Sequence, residues 1–232
     1  MPLLRALRWL RSYLSPVLLE SRLSSISGQL ELLLSKGRYM LASPNAVYSY
    51  EDLYHNFRRA FEQLRPENWA LQRVLVLGMG LGSVVQLLEQ RHHISSAHFT
   101  LLEIDPLVVE WAERYTLPRL KSPRQVLNVD ALKWLEQQQA PSEHNSADFY
   151  DLIIVDIFVD DQIPDWVDKN SFLSQLRSLL RPNGKGHLLL NRLHDSQLQH
   201  YNEQFLRQRF APVFPQHRVF QQATNLMLYA TT

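Results

Sequence analysis

Apolar and polar positions change their spacing several times along the chain, and each change marks an element. In the opening stretch, MPLLRALRWLRSYLSPVLL, Leu4, Leu7, Leu10 and Leu14 share one helical face while Arg5, Arg8 and Arg11 line the other. This predicts an amphipathic helix docked on its own domain or on a second subunit. The recurring arginines interrupt the apolar centre that a signal peptide keeps. After Pro16 the pattern loosens. Residues 29–43 then read as two short strands around Ser35-Lys36-Gly37, with Gly37 supplying the positive φ of a hairpin turn. Helical spacing returns over residues 51–64, where Leu53, Tyr54, Phe57, Ala60, Phe61 and Leu64 share a face and Pro66 closes the helix.

The middle of the chain alternates between two periods. Apolar runs at residues 74–77, 99–102, 152–155 and 187–190, and a weaker one at 125–129, are separated by helical stretches at 83–91, 106–115, 131–138 and 170–180. Short uninterrupted apolar strands between amphipathic helices imply parallel strands buried on both faces, an α/β three-layer sandwich. Asp105 and Asp130 stand where helix N-caps are expected, and Pro182-Asn183-Gly184 reads as an αL-type end to the last of these helices. Residues 137–147 read as a surface loop, and residues 217–221 and 225–230 as a C-terminal antiparallel hairpin.

Composition narrows the functional classes. The 232 residues carry 24 Lys+Arg against 23 Asp+Glu, a formal charge of +1, so no global field exists for gripping nucleic acid. The absence of cysteine excludes disulfides, thiolate metal sites and cysteine nucleophiles. No apolar run reaches the roughly 18 residues of a membrane span, and a cytoplasmic location is expected. The nine histidines show no zinc-like spacing, no metal is expected, and His92-His93 reads as a solvent-exposed turn.

In an open α/β sheet, ligands bind beyond the carboxyl ends of the strands. After the first strand comes Gly78-Met79-Gly80-Leu81-Gly82-Ser83, entering a helix; after the second, Glu103, placed to accept both hydroxyls of a ribose; after the third, Asp130, able to accept from an exocyclic amine; after the fourth, Asp156, followed by Ile157-Phe158-Val159-Asp160-Asp161. Any one of these could be a cap or a close helix–strand contact. In register at four consecutive strand ends, they indicate a nucleoside ligand. Ser83 occupies the last glycine position of the dinucleotide fingerprint, and no Gly-Lys-Ser/Thr occurs. The G-x-G-x-G turn and the two acids fit an S-adenosylmethionine-type ligand better than a nicotinamide dinucleotide.

The segments VLVLGMGLGSVVQLL, LLEIDPLVVEWAERY, VLNVDALKWL, YDLIIVDIFVDDQIP and SFLSQLRSLLRPNG, together with the upstream hairpin and NAVYSYEDLYHNF, resemble the spermidine synthase (polyamine aminopropyltransferase) family over roughly residues 28–190, and also spermidine-synthase-like methyltransferases. The resemblance implies a Rossmann-like methyltransferase fold with an N-terminal helix and hairpin, divided into residues 1–65 and a catalytic domain of residues 66–232. It implies S-adenosylmethionine or decarboxylated S-adenosylmethionine as co-substrate and a small-molecule amine or other small acceptor, and it makes a homodimer a candidate assembly. It assigns Gly78, Gly80 and Gly82 to the cofactor tail, Glu103 to the ribose, Asp130 to the adenine amine and Asn45 to the cofactor's vicinity. Asp156 takes the place of the general base, with Tyr54 and His55 as the Tyr-His pair of the aminopropyl pocket. Asp160, Asp161 and Trp166 fall at the acceptor.

Three positions depart from the family pattern. Leu81 replaces the acid that holds the terminal ammonium of the decarboxylated cofactor, Val159 replaces the second acid after Asp156, and Asn56 replaces a Glu. The readings this leaves are aminopropyl transfer to a polyamine-type amine, methyl transfer to a small molecule, and a nucleoside-binding homologue that has lost catalysis.

Overall fold

The computed structural model describes residues 2–44, 46–139, 148–158, 162–222 and 224–232. Two sheets organise them. Helix α1 (Pro2–Arg11) precedes an antiparallel sheet of β1 (Val17–Ser24), β2 (Gly28–Ser35), β3 (Arg38–Ala42) and β4 (Val47–Ser49), in that spatial order. After α2 (His55–Leu64) comes the alternation β5 (Arg73–Leu77), α3 (Ser83–Arg91), β6 (His98–Glu103), α4 (Pro106–Trp111), β7 (Arg124–Asn128), α5 (Ala131–Glu136), β8 (Leu152–Val155), α6 (Asn170–Leu179) and β9 (His187–Leu193). A helix α7 (Gln199–Phe205) and the hairpin β10 (His217–Gln222) and β11 (Asn225–Thr231) complete the chain. The larger sheet runs β10-β11-β9-β8-β5-β6-β7, parallel from β9 to β7, with the last strand β11 inserted antiparallel between β9 and β10.

The alternating faces of each central strand feed two different cores. Val74 and Val76 of β5 pack with α3, α4, α2 and Leu30, Leu32 and Leu41 of the small sheet. Leu75 and Leu77 pack with α5, α6 and α7 on the opposite face. Residues on both sides of position 65 therefore share one core. Asp105 and Asp130 cap α4 and α5, accepting from the backbone N–H groups of Leu107 and of Leu132 and Lys133. Lys36 (φ 50°) and Gly37 (φ 71°) make the β2–β3 turn, both with the positive φ that a type I′ hairpin needs.

Several elements differ from the sequence expectation. Strand β1 is mostly exposed and carries Glu20 and Arg22 toward α4 and the turn after it, where Glu20 accepts from Trp111 and Tyr115 and Arg22 pairs with Glu110. Its apolar alternation is correspondingly weak. On the apolar face of α1, Leu7, Leu10 and, just beyond it, Leu14 remain 55%, 59% and 90% exposed, while the segment is tied to the β2–β3 turn through Ser12, which accepts from the Lys36 and Gly37 amides. Helix α6 stops at Leu179 because Leu180 turns extended to bridge Tyr150, and Asn183 and Gly184 form the turn into β9 instead of a helix cap. His92 is buried, 2.7 Å from Glu67 and edge-on to Phe61; only His93 is exposed. Most of the expected 137–147 loop lies outside the described residues.

The expected helix over 51–64 is broken. Glu51–Leu53 form a single 3₁₀ turn, Tyr54 is extended (φ −65°, ψ 97°), and α2 begins at His55. The cause is Glu51, which is fully buried with φ 40°. Its carboxylate lies 2.9 Å from Arg119, accepts from the Tyr39 amide at 2.8 Å and from the Gln86 side chain at 2.7 Å, and has Arg38 at 3.9 Å. Next to it, Asp52 pairs with Arg38 and Arg91. Removing one partner of a buried charged network leaves the others with unmet hydrogen bonds. Glu51→Ala is expected to lower unfolding stability by about 3 kcal/mol, read as a fall in denaturant midpoint, with Glu51→Gln losing less. An unchanged midpoint for both would remove Glu51 as the tie between the sheets.

Candidate functional site

Strands β6 and β7 are laid to one side of β5, and β8 and β9 to the other. Chain connections leave β5 and β8 in opposite directions, which opens a crevice at their carboxyl ends. A cavity occupies it, lined by Gly78 and Gly80 after β5, Glu103 at the end of β6 and Ile104 after it, Asp130 after β7 and Asp156 after β8. Leu30, Leu41 and Tyr48 of the small sheet form its other wall, and Pro164 and Trp166 its rim.

Close packing shapes the glycine turn. A Cβ at Gly78 (φ 83°) would lie 2.2 Å from the carbonyl oxygen of Asp156, so only glycine permits the turn to meet the end of β8. The Gly80 N–H donates to Glu103 Oε2 at 3.0 Å. Leu81 points away from the cavity into the core, 1% exposed, while its N–H donates to Ser49 Oγ. Ser49 and Ser83 hydroxyls lie 2.7 Å apart, and Ser83 Oγ also accepts from the Tyr50 amide, closing β4 onto the turn. The serine that broke the dinucleotide fingerprint thus has a binding partner in the small sheet. Gly82 sits at the start of α3 against Leu117, outside the cavity lining, because its positive φ serves the turn into the helix.

Two of the acids are half-buried, and among the described residues no cation pairs with either. Glu103 accepts from the backbone N–H groups of Gly80 and Asp105, at 3.0 and 3.1 Å. Burial nevertheless pushes its carboxyl up to about 7. Asp156 Oδ1 accepts from Asn191 Nδ2 at 2.8 Å, and the side chain also accepts from the buried Tyr54 hydroxyl. Burial, reinforced by the nearby Glu103 charge, pushes Asp156 up to about 7, against those two donors. The same enclosure and the Asp156 charge push Tyr54 well above its ordinary value. Asp130 is half-buried at the cavity, with Oδ1 engaged in capping α5.

The Tyr-His pair is split by the break before α2. Tyr54 reaches Asp156, whereas His55 is exposed at the first position of α2, its Nδ1 3.1 Å from Arg58, and does not line the cavity. Consecutive residues at the break between the 3₁₀ turn and α2 point in different directions, which the helical spacing of 51–64 concealed. Trp166 lines the rim with its ring edge-on to Phe172 at 5.2 Å. Asn45, Val159, Asp160 and Asp161 lie outside the described residues. Asn191 was missed in the sequence, although a polar residue inside the apolar run HLLLNRL was a usable signal. Among the described residues no cluster of three or more His, Asp or Glu could hold a metal ion, and no helix is long and apolar enough to cross a membrane.

No protein-family model matches the chain. Among curated proteins it is 29% identical over 113 residues to a polyamine aminopropyltransferase of Vibrio vulnificus (strain CMCP6), covering 49% of this chain and 36% of the relative. It is 30% identical over 123 residues to a probable polyamine aminopropyl transferase of Bifidobacterium longum (strain NCC 2705), covering 53% of this chain and 25% of the relative. The matched segments therefore span about a third and a quarter of those relatives. Among solved structures, a probable spermidine synthase from Corynebacterium glutamicum aligns over 93% of this chain and 79% of its own, with TM-score 0.68 and 16% identity. Human methyltransferase-like protein 13, solved with SAH, aligns over 75% of this chain and 80% of its own, with TM-score 0.61 and 22% identity. The chain has a Rossmann-like methyltransferase fold, and its sequence is similar to polyamine aminopropyltransferases.

Proposed function

We propose that the chain is a transferase that binds S-adenosylmethionine or its decarboxylated form and passes a carbon group from the sulfonium to an amine, with aminopropyl transfer to a polyamine-type amine as the lead reading. One observation carries it: Glu103 and Asp156 are half-buried carboxyls at the ends of β6 and β8, the two strands that flank β5, lining one cavity, and among the described residues their hydrogen-bond donors are all neutral. Enclosing acids this way costs stability unless a ligand brings donors or positive charge to them. The similarity to polyamine aminopropyltransferases supports the same reading.

The residues suit such a nucleoside. Each Glu103 oxygen is fixed by one backbone N–H and keeps lone pairs for a ribose hydroxyl. Ile104, 43% exposed beside the cavity, offers an apolar plate to a planar base, and Asp130 lines the same cavity for an exocyclic amine. The sulfonium would activate its attached carbon toward nucleophiles. Asp156 accepts the proton from the attacking amine as the new carbon–nitrogen bond forms and the carbon–sulfur bond breaks, its electron pair leaving on the thioether. Tyr54 holds the carboxylate in place through its hydroxyl. Leu81 favours a second reading, methyl transfer from intact S-adenosylmethionine: with its side chain in the core, the glycine turn presents no side-chain acid to a terminal ammonium.

Calorimetric titration with both forms of the cofactor, methylthioadenosine and NADH separates these readings. Tighter binding of the decarboxylated form is the expected outcome; preference for the intact form would favour methyl transfer, and binding of NADH alone would sink both. Glu103→Ala is expected to weaken nucleoside binding by roughly 10- to 100-fold, and unchanged affinity would remove Glu103 from the site. Asp156→Asn is expected to keep binding while turnover falls at least about 100-fold; a fully active variant would place the base elsewhere.

The acids also set a pH dependence. Asp156 and Glu103 have ordinary values of 3.8 and 4.5, and in the folded chain each holds its proton to about 7. Between those limits the folded state binds more protons than the unfolded one. Stability should therefore fall as pH rises from about 4 to about 7, because the unfolded chain releases these protons first. Nucleoside affinity should rise over pH 6–8, because ribose hydroxyls donate best to ionised Glu103. Denaturation of wild type and Asp156→Asn at pH 5 and 7.5 checks the first expectation: the variant should lose less stability, and equal losses would reject the enclosed acid.

A further inference from the structure

Behind Asp156 stands a row of side-chain hydrogen bonds that all point one way. Thr224 Oγ1 donates to Asn225 Oδ1 at 3.0 Å, Asn225 Nδ2 donates to Asn191 Oδ1 at 2.9 Å, and Asn191 Nδ2 donates to Asp156 Oδ1 at 2.8 Å. Asn191 and Asn225 are 3% and 6% exposed, on the neighbouring strands β9 and β11. An isolated carboxamide can present either its oxygen or its nitrogen to a neighbour. Here Asn225 commits its nitrogen to Asn191, which fixes the Asn191 oxygen on that side and leaves its NH₂ for Asp156. The Tyr54 hydroxyl approaches the same carboxylate from the other direction.

We propose that Asn191 and Asn225 are positioning residues: a polarised carboxamide relay from the C-terminal hairpin that holds Asp156 in one orientation and favours its ionised form. A donor row of this kind strengthens along its length, since each amide is polarised by the one behind it. It also gives β11 a task at the site, although β11 does not itself line the cavity. The catalytic part of the proposal rests on the transferase reading above; the relay itself does not.

The test has two arms on the full-length chain. In the first, without any ligand, the Asp156 carboxyl is titrated by carbon-detected NMR in wild type, Asn191→Ala and Asn225→Ala, with thermal unfolding as the folding control. The midpoint is expected to rise by about one pH unit in Asn191→Ala and by a smaller but measurable amount in Asn225→Ala. Asn225→Asp, similar in shape but presenting an acceptor to the Asn191 oxygen, should raise it more than Asn225→Ala does. No rise in Asn191→Ala, or an Asn225→Asp midpoint equal to wild type, would overturn the relay. In the second arm, Asn225→Ala should lower kcat about 10-fold with KM for both substrates within about twofold, and the acidic limb of the kcat profile should move up with the NMR midpoint. A loss confined to KM, or a limb that stays while the midpoint moves, would overturn the catalytic role. If wild type transfers neither group, the transferase reading fails, and the first arm alone decides the relay.

Discussion

A carboxylate with no access to water needs its charge met from every side, and Glu51 meets that need by drawing three parts of the chain together. Arg119 reaches it from the turn after α4, Gln86 from α3, and the Tyr39 amide from the small sheet. The antiparallel sheet is thereby held over the carboxyl ends of the parallel one. The backbone at Glu51 takes a left-handed conformation, the following helix is interrupted, and Tyr54 is turned toward Asp156. The cavity wall formed by Leu30, Leu41 and Tyr48 depends on this placement. So does the hydroxyl that holds the candidate base.

The acids in the cavity are enclosed in a different way. Glu51 has arginine partners; Glu103 and Asp156 have backbone amides, one carboxamide and a phenol. A protein selected for stability alone gains by neutralising such groups or exposing them. Two of them stand at the ends of the strands that flank β5, each pushed up to about 7, the kind of perturbation that clusters at functional sites. The stability lost there is offset by the two apolar cores on either face of the sheet, to which every central strand contributes.

Topology supplies the rest of the site. Glu103, Asp130 and Asp156 come together because β5, β6, β7 and β8 run parallel, so each strand delivers the residue that follows it to the same edge. The antiparallel insertion of β11 beside β9 then brings Asn225 to Asn191, and Asn191 to Asp156. The acid is thus met by the glycine turn after β5, by the hairpin through Asn191 and by Tyr54.

Much of this was legible in the chain because it is local. Apolar runs of strand length, helical spacing between them, caps at Asp105 and Asp130 and a glycine-rich turn are short-range patterns, since burial on both faces and the need to satisfy helix ends act within a few residues. They located all five parallel strands and the four crossover helices, and they placed Glu103, Asp130 and Asp156 at the ends of three of those strands. What tertiary structure alone decided involves long-range partners. Glu51 breaks a helix that its own spacing predicts, because arginines distant in sequence hold its charge. Tyr54 and His55, adjacent in the chain, part company at that break. Asn191, just past the apolar run at 187–190, drew no reading from the sequence; β11 and Asp156 on either side of it give it its role. Periodicity reports which face of an element is buried; it carries no information about which charged or polar group will be waiting there, and that is where the site was decided.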